Sequence, residues 1–474
     1  MEKELPKVLA ISLSTWRSDS GIHTQTDLFK FYDVDKVAQI YTKSDLPDTP
    51  VCNNFFRISE NAIIKSVIKR NPVGKRVENG QKADEATLKA MEAETALYNQ
   101  AHKKKSWLMT IMREVVWAFG KWKTKALDNF IKEENPDVYF VPIYPVVYMG
   151  KLQLHILKKF PKPYVCYLWD DNYSYKPCKG KPLAYVHRFL LRRVVKKLAV
   201  NCTEMFTITE TQKRETDAEF GTNSIVLTKG IDYENRKYDD RPTSDPIKMV
   251  YTGKLFLGRA ESLVEISKAM AEINKDGEKI TLDVYSPTVI EGATLEMLNS
   301  NGCHFKGCVP KSEVDAIQQS ADIVIFAESL EKNHRFDARL SFSTKITDYF
   351  KSGKCIFAIG DKDIAPIIYL RENDCAVIAN EYEEIAPQLK KLLENPEKIK
   401  EYGRKAFECG KKNHNEKDIK RLNEFKTALQ VAIELNSKMW HMSNDESFKN
   451  KLHDMNNVNR KKVEDCDAQL KKYQ

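Results

Sequence analysis

Lys254 and Arg259 stand five residues apart in Thr252-Gly253-Lys254-Leu255-Phe256-Leu257-Gly258-Arg259. They flank a glycine-bearing turn between an apolar run and a helical pattern. Two fixed cations at such a turn suit a diphosphate, whose charge needs fixed donors as a bond breaks. A second segment runs from Ser341 to Lys354. Ser343 or Thr344 serves there as a helix N-cap, Ile346, Tyr349 and Phe350 form an apolar face, and Gly353 ends the helix. Free amides at Ser343, Thr344 and Lys345 can hold a phosphate, and Asp348, about one turn in, can accept hydrogen bonds from ribose hydroxyls. A third segment, Ser14 to Thr24, carries Gly21 just before a helix start, where backbone can approach an anion. It is not a Walker loop, since no Gly-Lys-Ser/Thr follows, and the Gly-x-Gly-x-x-Gly fingerprint is absent. Each segment alone also fits an ordinary capped helix or a solvated Lys and Arg, and only their combination points to a diphosphate.

These segments sit where short apolar strands end. Lys7–Leu13, Val37–Tyr41, Asp137–Ile143, Tyr164–Trp169, Met205–Thr209 and Ser224–Thr228 read as strands of a first half. Ile247–Thr252, Ile280–Tyr285, Ile323–Phe326, Lys354–Ile359 and Cys375–Ile378 read as strands of a second. The runs are apolar throughout rather than alternating, which points to parallel strands buried on both faces. Helical patterns lie between most of them. The expected fold is α/β: two doubly wound, Rossmann-like domains facing across a cleft. The polar, proline-punctuated stretch Asp239 to Pro246 is the expected linker. It divides a first domain, 1–240, from a second, 246–410. Residues 52–104 read as a polar insertion, 411–440 as a helix returning to the first domain, and 441–474 as a polar tail. In open parallel sheets ligands bind beyond the carboxyl ends of the strands, so the cleft is the expected site.

The order of these motifs resembles the retaining, group 1 glycosyltransferases of the GT-B fold. Ser343-Thr344-Lys345 through Asp348-Tyr349-Phe350 to Gly353-Lys354 is similar to that family's nucleotide-sugar motif. Gly253-Lys254 to Arg259 resembles its diphosphate-binding turn, and Asp19-Ser20-Gly21-Ile22 its first-domain glycine loop. Phe206–Glu210 and Lys229-Gly230-Ile231-Asp232 resemble its approach to the linker. Gly307-Cys308-Val309 occupies the place where such enzymes hold the base through backbone groups, which gives Val309 a donor-binding duty. The resemblance implies transfer of a sugar from a nucleoside-diphosphate sugar to an acceptor glycan or lipid-linked saccharide, with retained configuration, in cell-surface polysaccharide or glycolipid biosynthesis. Lys254 and Arg259 would take the leaving diphosphate. Asp170 would bind an acceptor or sugar hydroxyl, Gly21 would close over the phosphates, and Asp348 would anchor ribose. No metal or other cofactor is demanded. Three departures stand out, one of them Lys254 in place of the family's more usual Arg. The first acid of the family's Glu-x7-Glu pair falls at Leu340, leaving Glu328 or Glu331 as substitutes, and the usual His-Asp becomes Trp169-Asp170-Asp171. They sustain an alternative: a catalytically silent GT-B protein that binds a nucleotide sugar or a partner enzyme.

Composition sets the remaining bounds. The 474 residues are 42% hydrophobic and 30% charged, enough for large cores, and the net charge is +9. Residues 101–200 hold 20 Lys and Arg against 7 Asp and Glu, so the rest of the chain is net acidic. One basic block is not the broad stripe of a nucleic-acid binder, and no nucleic-acid partner is expected. Within it, helices over 103–125 and 187–197 combine cations with apolar residues at helical spacing, from Lys103 to Phe119 and from His187 to Lys197. That pattern suits an anionic membrane surface. The competing reading buries the apolar stripes in the first domain. The ten cysteines lack paired spacing and fit reduced thiols. The expected location is cytoplasmic, peripheral on the inner face of the membrane.

Overall fold

The computed structural model describes residues 6–17, 23–30, 32–69, 73–85, 87–89, 91–92, 107–178, 181–234 and 236–416. Gly21 and the glycine loop around it, Lys103–Lys105, and everything expected beyond residue 416 lie outside the described residues.

Two sheets organise the chain. The first contains β1 (Val8–Ser12), β2 (Val37–Tyr41), β3 (Asn54–Arg57), β4 (Lys75–Glu78), β5 (Val138–Pro142), β6 (Tyr164–Leu168), β7 (Glu204–Thr207) and β8 (Ile225–Val226). Its order is β4-β3-β2-β1-β5-β6-β7-β8, parallel except for the β3–β4 pair. The second contains β9 (Ile247–Thr252), β10 (Ile280–Tyr285), β11 (Cys303–Gly307), β12 (Ile323–Ala327), β13 (Cys355–Ile359) and β14 (Val377–Ala379), in the order β11-β10-β9-β12-β13-β14. All its pairs are parallel. This order reverses direction between β9 and β12, and such a switch point opens a crevice at the strands' carboxyl ends.

Helices cover both sheets. Those of the first lobe are α1 (His23–Phe29), α2 (Glu60–Lys69), α3 (Trp107–Phe119), α4 (Lys125–Glu134), α5 (Val147–Lys159), α6 (Pro182–Ala199) and α7 (Glu210–Phe220). The second lobe carries α8 (Arg259–Ile273), α9 (Gly292–Met297), α10 (Lys311–Ser320), α11 (Thr344–Ser352), α12 (Ala365–Glu372), α13 (Ile385–Glu394) and α14 (Glu397–Asn413). The central strands β1, β2, β12 and β13 are buried at every residue, as sandwiching between helix layers requires. One apolar cluster packs Leu9, Tyr139 and Leu152 in the first lobe, and another packs Met249, Leu263 and Phe357 in the second.

The stretch expected as a polar insertion requires a correction. Residues 54–57 and 75–78 within it form β3 and β4, the outer edge of the first sheet. β4 alternates, with only Val77 buried, because an edge strand covers one face and leaves the other to water. At the far end of the described residues, 414–416 come back to the first lobe. Ile231 donates its N–H to the His414 carbonyl (2.7 Å), Glu416 donates to the Ile231 carbonyl (2.9 Å), and Lys30 pairs with Glu416.

The lobes are tied by a buried ion cluster. Arg339, on the segment after β12, donates to Asp171 Oδ2 through Nε (2.9 Å) and Nη2 (2.7 Å), and to Glu215 Oε2 at 2.8 Å. Arg339 and Asp171 are each only 4% exposed. Burial alone would raise the Asp171 carboxyl, but the Arg339 charge and the bonds from Ser174 hold it below its ordinary value. Thr209, at the end of β7, adds a bond from Oγ1 to the Leu340 carbonyl (3.3 Å). Removing one partner of such a pair strands the other charge in a dry setting. Arg339→Ala is therefore expected to lower stability by about 3–5 kcal/mol, seen as a reduced urea midpoint. An unchanged midpoint would show that the cluster does not hold the lobes together.

Candidate functional site

The second lobe builds its site at the switch point. β9 ends at Thr252, and the chain turns through Gly253, Lys254 and Gly258 before α8 begins at Arg259. Tyr251 donates from its hydroxyl to the Lys254 carbonyl (2.7 Å), and Leu255 N–H donates to Thr288 Oγ1 (3.0 Å). Leu257 is held at φ 61°, a left-handed conformation unusual for a leucine. The turn is thus fixed by its surroundings rather than by local preference.

Arg259 is received by the end of the neighbouring strand. Glu328 follows β12 directly, is buried, and accepts from Arg259 Nε at 3.0 Å and Nη2 at 2.8 Å. Burial alone would lower the guanidinium pKa, but Glu328 more than compensates and the pKa is raised. Of the two acids open as substitutes at this motif, Glu328 is the one that reaches the cations.

The start of α11 brings a third cation. Ser343 is the N-cap, with extended backbone and no side-chain capping bond, so the first-turn amides keep their donors. Lys345, in that first turn, directs its ammonium inward. Its Nζ donates to the Tyr251 hydroxyl at 3.0 Å and lies 4.5 Å from the centre of the Tyr251 ring. Gly253 makes this approach feasible. A Cβ on Gly253 would fall 2.1 Å from Lys345 Nζ, and the residue has φ 143°, which side chains disfavour. Burial, then the charges of Arg259 and Lys254, bring the Lys345 pKa down to about 7, against the opposing pull of Glu328.

Of the residues singled out from sequence, Gly253, Lys254, Arg259, Ser343, Thr344 and Lys345 come together here. Lys254 is exposed, and among the described residues its ammonium has no hydrogen bond or ion pair. Val309 lies beyond the end of β11, at the same edge of the sheet but two strands out from β9. Asp348 turns toward the other lobe and accepts from Lys229 Nζ at 2.8 Å. Asp170 follows β6 in the first lobe by two residues. Its neighbour Asp171 is consumed by Arg339, but the Asp170 carboxylate has no partner among the described residues. Burial and the charge of Asp171 lift its pKa to about 6. Leu340, where the family's first acid would stand, is buried.

Sequence reasoning assigned Lys345 only its amide and left Glu328 as one of two options. The one local hint was Gly253 itself, since a glycine at a strand end leaves room for a close approach, but nothing beside it in the chain names Lys345 as what approaches.

The arrangement gathers three basic side chains beside first-turn helix amides, and of the three only Arg259 is bonded to a carboxylate, that of Glu328. No family model and no curated protein matches the chain. Solved structures do. The N-terminal domain of a Candida albicans trehalose-6-phosphate phosphatase matches at TM-score 0.55 and 13% identity, over 90% of this chain and 97% of that one. Anabaena HepE, solved with UDP, matches at TM-score 0.53 and 11% identity, over 91% of this chain and all of that one. TarM matches at TM-score 0.47 and 13% identity over 61% of this chain, which spans about half of its length (54%). Likeness at such identity establishes the fold: two facing parallel α/β sheets of GT-B architecture.

The lowered pKa of Lys345 gives its proton linkage a sign. In the free protein Lys345 is charged below about pH 7 and neutral above it. A bound diphosphate favours the charged form, so above that value binding must take up a proton and must weaken as pH rises. Calorimetry of UDP, GDP or ADP in buffers of different ionisation enthalpy is expected to show uptake near one proton about one unit above that pKa. Uptake should vanish in Lys345→Met. Equal proton linkage in the wild type and Lys345→Met would remove Lys345 from the site.

Proposed function

We propose that this chain is a glycosyltransferase that moves a sugar from a nucleoside-diphosphate sugar to an acceptor hydroxyl with retention of configuration. One observation carries the reading: Lys254, Arg259 and Lys345 converge at the switch point of a GT-B lobe, beside the open start of α11. Residues 246–410 would bind the donor and residues 1–240 the acceptor. In the reaction the bond from the sugar's anomeric carbon to the diphosphate breaks and a bond from the acceptor oxygen forms. Negative charge grows on the departing diphosphate. Fixed cations that meet it there stabilise the transition state more than the bound donor.

Each residue then has a duty set by its place. Lys254, exposed and unpaired among the described residues, and Arg259, aligned by Glu328, hold the diphosphate. Lys345 joins them as its proton returns, and the amides at Ser343 and Thr344 complete the cradle. Val309 would meet the base through its backbone. Asp348 would hold ribose after exchanging its bond from Lys229. Gly21 would close from the first lobe. Asp170, a carboxylate at a strand end with no partner among the described residues, would bind an acceptor or sugar hydroxyl. No metal is needed in this scheme, because the cations and helix amides answer the diphosphate charge. The family's commonest work, assembling cell-surface polysaccharide or glycolipid, is the process we assign. Free thiols at all nine described cysteines support a reducing, cytoplasmic setting.

A second reading is favoured by Leu340. A buried leucine in place of an acid removes one contact to the donor sugar, which suits a silent protein that binds nucleotide sugar without turnover. Transfer assays with UDP-, GDP- and ADP-sugars separate the two readings, because a donor that binds but never loses its sugar would select the silent one.

In the active reading, Lys254→Ala with Arg259→Ala should cut turnover by on the order of 10²–10³-fold or more. Undiminished turnover would overturn the assignment. Asp170→Asn should depress transfer while leaving nucleoside-diphosphate affinity unchanged. In the wild type, the ionised Asp170 is lost as pH falls through about 6, so transfer should decline there. A rate that does not fall below that pH would detach Asp170 from the reaction.

A further inference from the structure

The basic block of the first lobe presents two helices on whose outer faces nothing is packed among the described residues. On α3, Met112, Val115 and Phe119 point outward, with Phe119 72% exposed. On α6, Val186, Phe189 and Leu190 do the same, with Val186 56% exposed. The inner faces of the same helices are core: Trp117 stacks on Tyr148 with ring centres 4.2 Å apart, and Leu191, Val195 and Leu198 are buried. The expectation that the apolar stripes pack wholly into the first domain therefore fails, because each helix is apolar on two sides.

The helices are neighbours. Glu114 of α3 lies 3.2 Å from His187 of α6, and it also accepts the first amides of α5 from Val147 and Tyr148, at 2.7 Å each. Their outer residues thus make one surface rather than two scattered ones. Six large apolar side chains exposed on adjacent helices are more than isolated surface residues explain.

Charge says what covers it. α6 contains no Asp or Glu across its 18 residues. Its outer face is apolar over the first half and cationic over the second, where Arg193, Lys196 and Lys197 follow. Among the described residues none of these three has an ion-pair partner, and Arg193 sits 4.4 Å over the Phe189 ring. A cavity of about 960 Å³ opens where α3 ends, with Lys121, Lys123, Lys125 and Lys151 around it. Apolar residues set among unneutralised cations match a surface of hydrocarbon beneath anionic phosphates. A protein partner would have to supply acids for every cation and an apolar patch in register between them. Among the described residues no helix is long and apolar enough to cross a membrane, so the contact is one of helices lying flat.

We propose that the paired outer faces of α3 and α6 dock the protein on an anionic phospholipid surface, with the lysine-rimmed cavity receiving headgroup phosphates. This docking does not depend on glycosyl transfer, and its test involves no turnover, so the two readings fail separately.

The test is flotation of the full chain with phosphatidylcholine vesicles and with vesicles in which about one third of the lipid is phosphatidylglycerol. The wild type should float with the anionic vesicles at low salt and release at high salt. Val186→Glu with Phe189→Glu should weaken binding by about tenfold or more. Lys196→Gln with Lys197→Gln should weaken it by about tenfold. All four positions are exposed, so unfolding midpoints should stay near wild type and confirm that the fold is intact. Absence of flotation with anionic vesicles at low salt would overturn the proposal. So would light scattering that shows a dimer dispersed by Val186→Glu with Phe189→Glu while vesicle binding is unchanged, which would assign the face to a second copy of the chain.

Discussion

Three cations gathered beside one carboxylate that bonds only Arg259 is the constraint around which the second lobe is arranged. Like charges repel, and burial raises the cost because little water screens them. The protein settles this repulsion unequally. Arg259 receives Glu328 through two bonds and stays charged. Lys254 keeps to the exposed edge, where water solvates it. Lys345, inserted between Gly253 and Tyr251, carries the remaining penalty and gives up part of its charge. A site in that condition is completed by an anion with several charges, since each added negative charge relieves repulsion already present.

The segment between β12 and α11 joins this balance to the shape of the whole molecule. It begins at Glu328, which holds Arg259. It passes Arg339, which enters the first lobe to meet Asp171 and Glu215, and Leu340, whose carbonyl receives Thr209. It ends at Ser343, where α11 starts. A shift of one lobe against the other pulls on the same run of residues that sets the cation cluster. Lys229 and Asp348 make a second link from the first lobe to α11, one turn beyond the helix start. The crevice and the electrostatics within it therefore share a support.

The sequence showed most clearly what repeats locally. Val37–Tyr41, Ile247–Thr252 and Ile280–Tyr285 are rich in β-branched and aromatic residues, and they are strands over those same bounds. Such runs need no partner to be recognised, because the residue types themselves favour a strand, even in β10, where Thr281, Asp283 and Tyr285 are only half-buried. β3, β4 and β11 were missed for the opposite reason. They lie toward or at sheet edges, and Cys303–Gly307 alternates buried and exposed residues in a run with His, Lys and Gly that does not look apolar. Helix α11 was legible from its cap, face and terminal Gly353, all of which are local signals.

The candidate site was legible to the extent that local turns define it, and no further. Gly253, Lys254 and Arg259 lie on one turn, so their types and spacing already described an anion site. The partners that set their charge come from elsewhere in the chain. Glu328 is 69 positions from Arg259, and Arg339 is 168 from Asp171. Asp170 and Asp171 make the point most sharply. They are adjacent and chemically identical, yet one is held charged by an arginine from the other lobe and the other is left unpartnered with a raised pKa. Nothing in a pair of aspartates says which is structural. The distinction arises when the second sheet sends Arg339 across the crevice, and that geometry exists only once both lobes have folded.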